Sequence, residues 1–414
     1  MKSVLVVNTG DRVHSTALAA RPDLKVTFVI EERFIDMYPK GSDLIIVKNL
    51  NNPSESTQTV VESRNCNEYS AVISLSERAA LTAAYIRSFL GLEGPSVYTV
   101  LNTTNKFAMK RKLETAGVTV AQYKIATTQE EAIELSKEVG FPVIIKPIMG
   151  AGSDATKIFY SVEDIKNEAG VKFFNQLKNP ITTSEKEFPV IIEQFLDVQQ
   201  ELHCDALVID GEVKFIKVSK YIKPVIEYNS GIFGSITLPN SNEISKEVIK
   251  IHEKAIEAVG INNGVTHLEV FVTSKGLIAG EIASRPGGGG IRKMLNYQNG
   301  FDSWEAHIAL SLQEKYIYEQ STDWNINDEI GQFMLPVKRG KIKLMSIEED
   351  FMDIPGYISS DIKVKSGDVI DGLLDSSAVS GIIYVKIPNS ACLDELISLI
   401  EERFQLEIEE RVYN

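Results

Sequence analysis

This chain of 414 residues has little of what marks several common kinds of site. It has three cysteines, Cys66, Cys204 and Cys392, odd in number and widely spaced. That pattern excludes a disulfide framework or a cysteine zinc site and fits a reducing, cytoplasmic setting. Positive charge is also short: 43 Lys and Arg stand against 57 Asp and Glu, a formal charge of −14. Nucleic acid and anionic membrane surfaces are thereby excluded as main partners, although a local basic pocket for a phosphate is not. There is no apolar run of about 18 residues, the length that spans a bilayer. The opening MKSVLVVNTG lacks a signal-peptide shape and predicts a first strand. No repeat or low-complexity tract occurs. The GxGxxG spacing is missing after that strand, so a nicotinamide cofactor is not expected, and GxxxxGK[ST] is missing throughout.

What remains is an ordinary globular composition, 43% hydrophobic and 24% charged, long enough for roughly three domains. The runs SVLVV (3–7), KVTFVI (25–30), DLIIV (43–47) and SAVISL (70–75) predict buried parallel strands. SERAALTAAYIRSFLG (76–91) predicts a helix capped by Ser76, and 102–118 a helix ending at Gly117. Thr128 with Glu131 forms a capping-box pattern, and Gly140 and Pro142 end that helix. VIIKPIMGAGSDATKIF (143–159) reads as strand, glycine loop, strand. Asp210-Gly211 predicts a hairpin within 201–222, and 245–260 an amphipathic helix. From about residue 330 short β segments predict a small appended β-rich domain.

THLEVFVTSKGLIAGEIASR (266–285) carries the first chemistry. A three-residue loop Ser274-Lys275-Gly276 pairs Thr273 with Leu277 and places Glu269 opposite Glu281. His267, Glu269, Glu281, Ala283 and Arg285 then share one face. Directly opposed Cβ atoms lie about 4.5–5.5 Å apart, and like charges there destabilise a sheet without compensation. A divalent cation such as Mg²⁺ compensates; so does a shared proton, a salt bridge to Arg285 or a register slip. Spacing alone leaves these alternatives open. Lys146 closes the strand VIIK beside the glycine loop 149–157, which suits phosphate oxygens. Lys106 stands in the first turn of its helix, where a cation opposes the dipole and so points to an anion.

Taken in order, the blocks VIIKP, IIEQFL and HLEVFV…GEIASRPGGG resemble the ATP-grasp superfamily, and within it the amino-acid ligases that join two L-amino acids. The resemblance runs over about residues 1–400. It implies an α/β (α+β) chain with an N-terminal Rossmann-like domain (1–118), a small lid (119–196) and an antiparallel-sheet core (197–414), the last carrying the β-rich subdomain from about 330. It implies ATP and Mg²⁺, with Mn²⁺ as a substitute, and amino acids as small-molecule substrates. A homodimer is implied by analogy only.

The resemblance also assigns roles. Lys106 and Lys146 look like the lysines on the ATP phosphates, and Ser153 sits in the flap over them. Glu193, Gln194, Phe195 and Leu196 look like the linker that reads adenine, and Glu201 like the acid that holds the ribose. Glu269 and Glu281 look like the Mg²⁺ ligands, and Arg285 like the arginine beside the acyl phosphate. Gly287, Gly288 and Gly289 leave bare backbone for a small substrate, and His267 is a candidate substrate contact. Many superfamily members read E-I-N-x-R in the last block; here Ala283 replaces the asparagine, which favours the amino-acid ligases over the carboxylating branch. The implied function is an ADP-forming ligase acting through an acyl phosphate. The alternatives are a carboxylase, a ligase for a non-peptide acid, or a non-catalytic ATP-binding module.

Overall fold

The computed structural model describes the chain except residues 11–12, 64–65, 151–154, 177–188, 228–230, 321–327, 372–377, 388–392 and 410–414. The apolar runs near the N-terminus form a parallel sheet of β1 (Lys2–Val7), β2 (Leu24–Glu31), β3 (Asp43–Val47) and β4 (Tyr69–Ser74), ordered β3-β2-β1-β4. Val4, Leu5, Val6 and Val7 are all fully buried, as expected of a strand covered on both faces. Ser76 caps the helix Glu77–Phe89 by accepting from the Ala79 N–H. The C-terminal ends of β1 and β4, where the connections diverge, are the customary place for a ligand crevice in such a sheet.

Next comes a four-stranded sheet of β5 (Tyr123–Ala126), β6 (Val143–Pro147), β7 (Lys157–Phe159) and β8 (Val190–Gln194), ordered β5-β8-β6-β7. Val143, Ile145, Val190 and Ile192 pack outward against helices on its far side. Ile191 and Glu193 therefore face the remainder of the chain, because side chains alternate along a strand.

The third layer is an antiparallel sheet built on β9 (Val198–Ile209), β10 (Glu212–Tyr221), β11 (Phe233–Thr237), β12 (Gly264–Thr273), β13 (Gly276–Ala283) and β14 (Glu329–Pro336). Beyond these lie β15 (Gly340–Met345), β16 (Tyr357–Ile362), β17 (Val369–Ile370), β18 (Val379–Ile387) and β19 (Leu406–Ile408). The segment after residue 330 does not form one separate β unit. Strands β14, β18 and β16 extend the large sheet to eight strands, ordered β13-β12-β9-β10-β11-β14-β18-β16; only β17, β15 and β19 pair apart from it. That pairing of β14 with β11 is non-local, so the local pattern could not show it.

The sequence ELHCDALV on β9 explains how this sheet is both core and site. Leu202, Cys204, Ala206 and Val208 pack with Val248, Ala255, Ile256 and Val259 of the helix Glu243–Val259. Full burial of one such aliphatic side chain contributes about 1.5–3 kcal/mol. Glu201, His203 and Asp205 project from the opposite face. Asn242 caps the covering helix, its side chain accepting from the Ile244 N–H at 3.1 Å. Asn242→Ala is expected to cost about 1 kcal/mol, read as a lower urea midpoint at unchanged m-value.

Three sequence expectations are corrected. The span 102–118 is not one helix: Val97–Thr104 ends and Lys106–Thr115 begins at Asn105. The Asn105 side chain accepts from the Phe107 and Ala108 N–H groups, so it caps a new helix and competes with continuation of the old one. In the Thr128 cap, Glu131 reaches back one residue further than the box requires, to the N–H and hydroxyl of Thr127, both at 2.8 Å. The β12–β13 loop is Ser274-Lys275, with Thr273 opposite Gly276 rather than Leu277. The expected turn at Asp210-Gly211 is present, with φ of 52° and 79°. Cys66 and Cys204 form no disulfide, and Cys392 lies outside the described residues.

Candidate active site

The shortened β12–β13 loop would by itself slip Glu269 off Glu281. A β-bulge restores the alignment. Phe271 faces Ile278 and Val270 faces Ala279, yet Leu268 faces Ile282 and His267 faces Ala283. Glu269 therefore stands against Gly280 and Glu281 together, and the second half of the hairpin keeps the register that spacing predicts. The helix Lys106–Thr115 presses on this bulge with Lys106, Met109, Lys110 and Leu113, its buried face. The Ile282 N–H contacts Met109 Sδ at 3.2 Å, and Lys110 Nζ lies 3.5 Å from the Gly280 carbonyl.

Two lysines of that helix and one of β6 meet two glutamates. Lys146 Nζ lies 2.7 Å from Glu281 Oε1 and 3.1 Å from Glu193 Oε2. Lys110 Nζ lies 3.1 Å from Glu193 Oε1, and Lys106 Nζ 3.5 Å from Glu281 Oε2. Lys106 also donates to the Gly150 carbonyl at 2.7 Å, at the base of the glycine loop. Ser153 lies outside the described residues. Glu193 thus spends its carboxylate on two lysines rather than projecting it toward a ligand. Beyond it, Gln194 is partly exposed, Phe195 is exposed and Leu196 is partly exposed.

The electrostatics divide the acids. Burial alone would raise Glu281, but Lys106 and Lys146 hold its carboxyl well below the usual range. Lys146 is raised in turn: burial opposes its charge, and Glu193 and Glu281 overcome that. Glu269 is raised by burial and then by Glu281, which outweigh the opposing pull of His267 and Lys146. Glu201 is pushed up to about 8 by burial and by Glu269, while accepting from the Val225 N–H. Two partly buried carboxylates opposed across a hairpin offer the oxygen donors that fit Mg²⁺.

The raised Glu201 has a stability consequence. Its contribution is full below about pH 4.5, where folded and unfolded forms are both protonated, and is lost as pH rises through about 8. Glu201→Gln keeps an acceptor for Val225 without the charge. In the absence of nucleotide and metal, its melting temperature is expected to gain on wild type progressively from about pH 4.5 to about pH 8 and to level off above that. A pH-independent difference would contradict the shift.

Arg285 lies beyond β13 and pairs with a different acid from those that hold the lysines. Its Nε and Nη2 donate to Glu77 Oε2 at 2.8 and 2.6 Å, and Nη1 donates to the Pro286 carbonyl. Glu77 opens the helix after β4, so this pair joins the parallel sheet's crevice to the large sheet. Burial would lower the guanidinium, but Glu77 raises it. Gly287 lies against His267 and Asp205: a Cβ there would come within 2.9 Å of His267 Nδ1 and 3.0 Å of Asp205 Oδ1. A Cβ at Gly289 would meet Met334, and one at Gly288 would meet nothing.

Sequence reading missed Lys110, Glu77, His203 and Asp205. Lys110 was within reach, one helical turn from Lys106 on the buried face. His203 and Asp205 follow Glu201 at strand period. Glu77 had no signal beyond its place after a cap.

A family model for the ATP-grasp domain matches residues 111–296. The L-arginine-specific L-amino acid ligase of Bacillus subtilis is 29% identical over 392 residues, 94% of this chain and 92% of that protein. The crystal structure of an L-amino acid ligase from Bacillus licheniformis aligns with a TM-score of 0.74 at 17% identity, covering 99% of both chains. N5-carboxyaminoimidazole ribonucleotide synthetase from Thermotoga maritima aligns with a TM-score of 0.67 at 18% identity, covering 99% of this chain and 100% of that one. At these identities the two structures speak for the fold alone.

Residues 111–296 of this chain match the ATP-grasp domain. The chain is an ATP-dependent, ADP-forming carboxylate–amine ligase, and along nearly its whole length it resembles the L-amino acid ligases. Among the described residues no helix is long and apolar enough to cross a membrane.

Proposed function

We propose that this enzyme joins the carboxylate of one amino acid to the amine of another. The observation that carries the reading is the convergence of Lys106, Lys146, Glu269 and Glu281, from four separate segments, on one cleft between β6 and β13. In the first step a substrate carboxylate oxygen attacks the γ-phosphorus of ATP; the bond to the β-phosphate oxygen breaks and ADP leaves. In the second, an amine attacks the acyl carbon, loses a proton and expels phosphate from a tetrahedral intermediate.

Such chemistry needs positioning and charge neutralisation more than a protein nucleophile. Lys106 and Lys146 exchange their carboxylate partners for phosphate oxygens. Glu201 takes the ribose hydroxyls, and the backbone of Gln194, Phe195 and Leu196 takes the base. Glu269 and Glu281 hold Mg²⁺, or Mn²⁺ in its place, which when bound offsets the charge developing on the transferred phosphoryl group. Arg285 stabilises the anionic tetrahedral intermediate, and the bare backbone at Gly287–Gly289 admits a small amino acid beside it.

The test is phosphate release with ATP and Mg²⁺ over all amino-acid pairs, with mass spectrometry of the products and a bicarbonate arm. Release that needs two amino acids and yields a dipeptide supports the reading. Release with bicarbonate or with a non-amino acid alone replaces it by carboxylation or another ligation.

A further inference from the structure

Behind the metal ligand Glu269 lies a polar cluster to which the mechanism above assigns no role. Asp205 is 1% exposed and His203 fully buried, on a sheet face that also carries His267. The Nδ1–H of His203 donates to Asp205 Oδ2 at 2.8 Å and that of His267 to Asp205 Oδ1 at 2.9 Å. A carboxylate only accepts, so both rings must carry their proton at Nδ1. The two ring centroids are 5.2 Å apart. In register, Asp205 stands opposite His267 and His203 opposite Glu269. His267 Nε2 lies 4.0 Å from Glu269 Oε1. On the other side of the cluster Gly287 packs so close to the His267–Asp205 hydrogen bond that a Cβ there would come within 2.9 Å of His267 Nδ1 and 3.0 Å of Asp205 Oδ1. The one carboxylate therefore touches, through two rings and a glycine, both the metal side of the cleft and the loop assigned to the substrate.

We propose that Asp205 is a positioning residue: by holding His203 and His267 in one tautomer and orientation, it sets Glu269 and the Gly287 loop relative to each other. The proposal rests on the ligase reading for what is positioned, but not for the geometry. A fixed hub is useful here because acyl phosphate and amine must meet in near-attack geometry, and a misplacement of about 1 Å costs on the order of 10²-fold in rate. Groups that orient a metal ligand from behind typically change metal affinity by about 10–100-fold when removed.

Asp205→Asn tests this in the full-length protein. The amide oxygen can accept from one ring, but its NH₂ must donate to the other, which then gives up its Nδ1 proton. Histidine ¹⁵N spectra should show both rings protonated at Nδ1 in wild type and one ring switched in the variant. With the switch, kcat for amino-acid-dependent phosphate release should fall about 10²-fold while KM for ATP stays within about threefold. Half-saturating Mg²⁺ for ADP binding should rise about tenfold. A switched tautomer with kcat and Mg²⁺ dependence near wild type would overturn the proposal, as would a loss of activity that merely tracks the unfolded fraction. Should Asp205→Asn not fold, Gly287→Ala decides, since its Cβ disturbs the same contact: a similar fall in kcat is expected, and normal kcat overturns. If the wild type turns over no amino-acid pair, the ligase reading fails, and the Mg²⁺ dependence of ADP binding still decides the role of Asp205.

Discussion

Glu281→Ala is expected to lower amino-acid-dependent ADP release by at least about 10³-fold while leaving a folded protein. The rate estimate starts from the loss of about 10²–10³ that follows removal of one preorganised group at a site of developing charge. Glu281 does more than such a group, because it is shared. It pairs with Lys146 at 2.7 Å and Lys106 at 3.5 Å, and it stands opposite Glu269, the other acid of the proposed metal site. Its removal would take away half of the proposed metal site and leave the buried Lys106 and the partly buried Lys146 mispaired. The fold should survive because Lys146 keeps Glu193 at 3.1 Å and Lys106 keeps the Gly150 carbonyl. Glu281→Gln separates the effects: it retains the shape, and should lose nearly as much rate with less change in melting temperature. Nucleotide-dependent turnover near wild type in either variant would remove Glu281 from the site.

The second large effect concerns Arg285. Arg285→Ala is expected to reduce kcat by about 10²–10³-fold with little change in KM for ATP, because the guanidinium pairs with Glu77 and not with the acids that hold the lysines proposed to meet the phosphates. It should also destabilise the protein, since Glu77 would keep a largely buried carboxylate without its partner. Glu77→Gln tells the two roles apart. Its amide oxygen still accepts from Arg285, so most activity should persist if Glu77 only seats the guanidinium. If Glu77→Gln is as damaging as Arg285→Ala, the carboxylate itself meets a substrate group. If Arg285→Ala turns over normally, the guanidinium acts on neither reaction step.

The sequence and the structure agree where the controlling pattern is local. Lys146 at a strand end and the acids of one hairpin could be read from strand period alone, and so could the capped helix after β4. The Glu269–Glu281 alignment was legible although the turn beneath it was misread by one residue. The bulge at Gly280 cancelled that slip, and a bulge leaves only a glycine as its mark. What stayed hidden depends on contacts between distant segments. Arg285 and Glu77 are separated by 208 positions, and nothing near either one announces the pair. Lys110 looks like one more surface lysine until the helix is docked on β13. Glu193 reads as part of a nucleotide linker, and only the folded chain shows its carboxylate between two ammonium groups. The strands after residue 330 were recognisable as strands, but their merger with the large sheet rests on pairing to β11, nearly a hundred residues earlier.

The most direct measurement of the central claim follows an oxygen atom. An amino acid labelled with ¹⁸O in its carboxylate is incubated with enzyme, ATP, Mg²⁺ and the amine partner that gives the greatest phosphate release. An acyl-phosphate route predicts one ¹⁸O in each phosphate released and a dipeptide that retains the other. Unlabelled phosphate formed together with product, or label that enters phosphate only from ¹⁸O-water, would contradict it.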